Sequence, residues 1–157
     1  MRYPVEHKES VRAKIVEAAS RMLRREGVTG VSIPTIMKKA GLTHGGFYSH
    51  FRDRDELVAE AVAFAAGETG PGLFDEGRGG LTDTLDHYLS REHVSRPGEG
   101  CVLAALGTEA ARQPAPVRQA FARAARGFLQ GVQRRRHPDS PAGRLNEDKI
   151  GRASCRE

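Results

Sequence analysis

Apolar residues recur at three- and four-residue steps between Ser10 and about Arg25, at Val11, Ile15, Ala18, Ala19, Met22 and Leu23, with Arg12, Lys14, Arg21 and Arg24 between them. That period predicts an amphipathic helix. Gly27 supplies its stop, and Val28 to Val31 form a short bridge. Ser32 is placed to cap a second helix over 33–40, with Pro34 tolerated in its first turn and Gly41 at its end. Thr43 is a candidate cap for a third short helix running through Phe47 and Tyr48 to His50. A fourth begins at Asp53, which with Glu56 makes a D-x-x-E variant of the capping box, and Leu57, Val58, Ala61, Val62 and Ala65 form its apolar side. Two short helices joined by a tight glycine-containing turn are the helix-turn-helix outline.

The second half reads differently. Gly67, Gly70, Pro71, Gly72, Gly77, Gly79 and Gly80 predict a flexible connection. Beyond it, helices are expected over 81–93, 101–112 and 117 to about 136, separated by Arg96-Pro97-Gly98 and Pro114-Ala115-Pro116. No strand alternation and no internal repeat occurs. From His137 onward, Pro138, Pro141, Gly143, Asn146 and many charges follow without period, the composition of a disordered tail. The fold class predicted is all-α: a three-helix helix-turn-helix head over 9–69, an incomplete helical body over 81–136, and a tail over 137–157.

Charge sharpens the picture of the head. The formal net charge is +5, and residues 1–55 hold eleven Lys or Arg against six Asp or Glu, the whole excess. A basic head favours an anionic partner such as nucleic acid. No apolar run reaches the ~18 to 20 residues of a membrane span and the N-terminus does not read as a signal peptide, so a soluble, cytoplasmic protein is expected. Cys101 and Cys155 lie far apart and frame neither a zinc site nor a disulfide scaffold. His44 and His50 are six apart, as are His87 and His93, and neither pair has the i, i+4 spacing of a zinc-binding helix. No nucleotide-binding or hydrolase fingerprint is present, so no metal, cofactor or enzymatic activity is expected.

The informative stretch is Ala40-Gly41-Leu42-Thr43-His44-Gly45-Gly46-Phe47-Tyr48-Ser49-His50-Phe51, followed by Arg54, Asp55 and Leu57. Two glycines inside a short helix cost about 1 kcal/mol each relative to alanine, and local rules tend to be broken at working sites. Without side chains at Gly45 and Gly46 the backbone can approach DNA closely, leaving Thr43 and His44 to reach base edges or phosphates. The plainer alternative is that the glycines only make a loop. Phe47 and Phe51, four apart, are expected to pack inward, while Tyr48 and His50 fall to the other side, where both can donate to phosphate oxygens. Arg54 lies in the first turn of its helix, where a cation opposes the helix dipole unless an anion is near; a DNA phosphate would supply one. Ser32, Thr35 and Lys38 are secondary candidates for backbone contacts, with solvated polar positions as the alternative.

This combination, an Ala-Gly-aliphatic turn, then Phe-Tyr-x-His-Phe, then a basic residue before an acidic residue and Leu, resembles the TetR family of bacterial transcriptional regulators over about residues 9–69. The resemblance implies phosphate binding by Tyr48 and His50 and a ligand-responsive repressor on double-stranded operator DNA. It also implies a C-terminal body that binds a small-molecule effector and forms a homodimer. The family more often has Lys at the position of Arg54. The segment over 100–107 resembles a ligand-side helix of one subgroup, although its small apolar residues suit plain helix packing as well. Such regulators usually end in two long apolar pairing helices, which do not follow Arg136, and residues 149–157 resemble translated sequencing-adapter DNA. The chain is therefore expected to be a truncated gene product, with Cys155 and Arg156 carrying no function. The alternative from another class is a small helical ligand-binding or interaction protein whose basic face is only solvated. A thiol-dependent enzyme using Cys101 is a third reading, lacking a base at a recognisable spacing.

Overall fold

The structure, a computed structural model, describes residues 5–74 and 80–136. The tail over 137–157, with Cys155 and Arg156, and the glycines at 77 and 79 lie outside the described residues. Among the described residues, seven α-helices and one 3₁₀ helix follow one another: α1 Val5–Glu26, α2 Ile33–Lys39, the 3₁₀ helix His44–Ser49, α3 Arg54–Leu73, α4 Leu81–Tyr88, α5 Arg91–Ser95, α6 Val102–Ala110 and α7 Ala115–Arg136. No strand occurs among them, in agreement with the all-α expectation.

Sequence patterning explains the first half well. The apolar stripe of α1 buries Ile15, Ala19 and Leu23 completely or nearly so, and the helix stops at Gly27 with φ 82°. Ser32 Oγ accepts the N–H of Thr35 and caps α2. Gly41, at φ 75°, makes the turn out of α2, where a side chain would be strained, and Leu42 N–H closes on Met37 O at 2.9 Å. Asp53 Oδ1 accepts Glu56 N–H at 2.8 Å, half of the expected capping box. The return bond lands one residue early: Glu56 Oε2 accepts the N–H of Arg52, not of Asp53.

Three expectations need correction. The third helix is 3₁₀, with Gly46 N–H on Thr43 O and His50 N–H on Phe47 O, and the Thr43 hydroxyl makes no capping bond. Two glycines in six residues disfavour regular α-helix, and the tighter 3₁₀ winding, common in such short pieces, still sends Phe47 inward. The flexible connection expected at Gly67 does not begin there, since α3 continues through Gly67, Gly70, Pro71 and Gly72 to Leu73. Those residues cost up to about 1 kcal/mol per glycine and about 3 for proline. What offsets this is packing: Ala65 and Leu73 are buried along α7, and the Phe74 ring lies on Gly131 so closely that a Cβ there would collide with it. Finally, the helix expected over 81–93 breaks after Tyr88, because Ser90 caps a new helix through Oγ and His93 N–H at 3.2 Å.

Head and body share one apolar core, in which Ile15, Phe47 and Leu57 join Val102, Leu106, Val117 and Phe121. Polar clamps reinforce the seam. The side chain of Arg24, fully buried, donates to Gly100 O at 2.9 Å, to Ser20 Oγ at 3.0 Å and to Glu68 Oε2 at 2.7 Å, tying α1 to α3 and to the loop before α6. From α6, both carboxylate oxygens of Glu109 accept the N–H of Val28, at 3.1 and 3.2 Å, in the bend between α1 and α2.

Candidate nucleic-acid interface

The outer surface of α2 and the 3₁₀ helix collects most of the predicted residues. Ser32, Thr35, Lys38, Thr43, His44, Gly45 and Tyr48 are exposed, and Gly46 is half-buried. Phe47 and Phe51 turn inward, 0% and 2% exposed, their rings stacked with centroids 5.5 Å apart. Tyr48 stands edge-on to Phe47 at 5.1 Å yet remains 67% exposed. His44 lies edge-on beside it at 6.5 Å. A Cβ added at Gly45 would meet nothing within 4 Å, and one at Gly46 only ordinary contacts with Met37 and Thr43. Packing therefore requires neither glycine; what their absence of side chains provides is an open backbone surface between His44 and Tyr48.

Other predicted residues are already partly engaged. The hydroxyls of Ser32 and Thr35 bond each other at 2.7 Å, a pair that still leaves lone pairs and one proton outward. Arg54 is the largest departure from the simple picture. Its Nη2 donates to the carbonyl of Val28 and, at 3.2 Å, to that of Val31, so the cation closes the bend that leads into α2. The unfavourable position at a helix start is resolved by two backbone carbonyls within the chain. Arg54 nevertheless lines one shallow depression with Ser32 and His44, so these three come together at the surface.

His50 is half-buried, and its Nδ1 has no hydrogen-bond partner among the described residues. Burial first, then the positive charges of Lys8, Arg12 and His7, hold its imidazole below the ordinary value of 6.5. Folding therefore favours the neutral ring. The resulting stability is present above the ordinary value and is lost as pH falls through the lowered one, because the unfolded chain takes up the proton first. Between about pH 7 and 5, the urea midpoint of the unaltered chain should fall further than that of His50→Gln, a comparison in which the other carboxylates and histidines cancel.

The sequence reading missed the cationic surroundings of His50. His7 and Lys8 are exposed near it, more than forty residues away along the chain, and no local spacing signals the pairing. Arg12 joins them but is committed: it pairs with Glu56 at 3.0 Å and with Glu60, and its guanidinium lies 4.1 Å over the Phe51 ring. Glu56 is held below the usual carboxylate range by the Arg52 N–H and then by Arg12.

In the body, α3, α6 and α7 enclose a cleft of about 460 Å³ whose walls include Ala66, Phe74, Leu103, Ala124 and Phe128. Cys101 sits at its edge, buried, against Tyr88, whose phenol is pushed up to about 12 by burial and then by that thiol.

Residues 15–61 match the family model of bacterial regulatory proteins, tetR family. Over 52 residues, 33% of the chain, it is 36% identical to the HTH-type transcriptional regulator AcrR of Shigella flexneri, covering 24% of that protein. Over 53 residues, 34% of the chain, it is 40% identical to the HTH-type transcriptional regulator TtgR of Pseudomonas putida, covering 25% of it. The matched stretch thus spans about a quarter of these relatives. The fold is similar to that of a TetR-family transcriptional regulator from Agrobacterium tumefaciens, with TM-score 0.68, 20% identity, and coverage of 82% of this chain and 72% of that one. It is also similar to the reduced form of E. coli NemR, with TM-score 0.65, 21% identity, and coverage of 83% and 74%.

Proposed function

We propose, starting from residues 15–61 as a domain of the tetR family of bacterial regulatory proteins, that this chain is a sequence-specific DNA-binding transcriptional regulator and a ligand-responsive repressor. The observation that carries the reading is the open backbone at Gly45 and Gly46, which no packing demand explains, set among exposed Lys38, Thr43, His44 and Tyr48. In the major groove, the 3₁₀ helix brings Thr43 and His44 to base edges, while Tyr48, His50, Thr35 and Lys38 reach phosphates and Ser32 supports them. Arg54 acts chiefly by shaping the bend before α2, with phosphate contact secondary. The cleft between α3, α6 and α7 is the effector site, and a homodimer would place two heads on half-sites ~34 to 36 Å apart or a multiple of that. Among the described residues no helix is long and apolar enough to cross a membrane; the work proposed is cytoplasmic and involves no catalysis.

The test is fluorescence-anisotropy binding to a pool of short duplexes at two salt concentrations, with Lys38→Ala/Tyr48→Phe as the comparison. Both positions are exposed, so the variant keeps the fold. We expect its affinity to fall about tenfold or more, and its salt dependence to become shallower by about one unit for the lost lysine contact. Equal binding by both proteins would reject these contacts, and no binding at low salt would reject the DNA-reading function of this chain. Arg54→Ala is unsuitable for this purpose, because freeing the carbonyls of Val28 and Val31 disturbs the bend itself.

A further inference from the structure

Among the described residues, the charged lining of the body's cleft is of one sign. Its walls are small aliphatic and aromatic side chains, and the charged members are Arg123 and Arg134, with no Asp or Glu among the described residues that line it. Neither arginine has a hydrogen bond or ion pair among the described residues, whereas Arg12, Arg21 and Arg24 are each held by glutamates. The two lie eleven positions apart on α7, three helical turns, which sets them on one face roughly 16 Å apart along the axis. Between them, Ala124, Gly127 and Phe128 carry the apolar wall.

We propose that this cleft takes an apolar organic anion, its acid group bound by Arg123 or Arg134 and its hydrocarbon part lying on Ala124 and Phe128; this rests on the reading of the cleft as the effector site. A guanidinium fork matches a carboxylate, sulfonate or phosphate through two parallel N–H bonds. The remaining walls provide burial for a ligand's apolar part, and about 460 Å³ is within the size range of drug-like ligand sites. A cationic ligand of the same shape is repelled from both ends, and a neutral one gains burial alone.

Anilinonaphthalene sulfonate and phenylnaphthylamine share one aromatic skeleton and differ by the sulfonate, and both report burial by fluorescence. Titrated into the full chain, the sulfonate should bind about tenfold more tightly. Arg123→Gln/Arg134→Gln should abolish that preference while leaving the neutral probe unchanged, and the single variants identify the end that holds the acid. Gly127→Leu fills the cleft where a Cβ meets nothing within 4 Å, and it should weaken both probes. Equal affinities in the unaltered chain, or a preference that survives the double variant, would overturn the anion assignment. Probe binding indifferent to Gly127→Leu would overturn the cleft as the site. Repeating the duplex titration with saturating sulfonate reads the regulatory step separately: unchanged DNA affinity would sink ligand responsiveness and leave the anion assignment standing.

Discussion

Replacing Phe47 with alanine should cost about 3 to 5 kcal/mol of folding stability and abolish DNA binding at the temperature where the unaltered chain binds. The ring is completely buried, stacked on Phe51 and edge-on to Tyr48. Truncating a buried phenylalanine loses both its transfer free energy and the contacts around the cavity left behind. Against a typical total of about 5 to 15 kcal/mol, that is a large fraction. The effect on binding follows from length: a six-residue 3₁₀ helix has no independent stability, so Phe47 is the anchor by which the core holds the proposed DNA-reading surface in place. Chemical denaturation and duplex anisotropy on Phe47→Ala, beside Tyr48→Phe, separate the two roles. Tyr48→Phe should keep the denaturation midpoint and lose affinity, while Phe47→Ala should lose both. A Phe47→Ala variant of unchanged midpoint would contradict the packing described.

Arg24→Ala should destabilise the chain by about 3 kcal/mol, the lower end of what breaking a buried ion pair costs. The lower end applies because Glu68 is 31% exposed and water can take over part of its solvation. The loss is not the worth of the contact alone, since Gly100 O and Ser20 Oγ each lose a donor within the buried seam. A double variant, Arg24→Met/Glu68→Met, should be less destabilised than Arg24→Met and Glu68→Met added together, because each single variant already loses the shared pair and leaves Glu68 only Arg21, at 3.8 Å, or Arg24 no carboxylate among the described residues. Urea unfolding of the single and double variants completes the cycle. If the double variant were as unstable as the sum of the singles, the Arg24–Glu68 pair would carry no coupling and the seam would owe its strength to the backbone carbonyls.

These two residues also mark the limits of sequence reading. The pairing of Phe47 with Phe51 was legible from a four-residue spacing, and so were the caps at Ser32 and Asp53 and the stop at Gly27, because each depends on neighbours within one turn of chain. Arg24 looked like one more polar position on an amphipathic helix. Its burial is decided by Gly100 and Glu68, which lie 76 and 44 residues away. The same holds for Arg54, whose sequence position suggested a phosphate and whose side chain folds back onto the bend at Val28 and Val31. The cations around His50 and the two arginines of the cleft likewise needed α1 and α7 set in place before they could be seen.

The glycine-rich stretch from Gly67 is the clearest case of a local rule overruled. By propensity alone, Gly67, Gly70, Pro71 and Gly72 should end a helix, and α3 continues through them because Leu73 is buried and the bare face of Gly131 receives Phe74. By itself the sequence determined the helical class, the helix-turn-helix spacing and the basic head, all carried by periodicity, caps and charge within short windows. Tertiary structure decided where helices persist and which arginines are spent on the fold, because burial and long-range partners outweigh the roughly 1 kcal/mol preferences that single residues express locally.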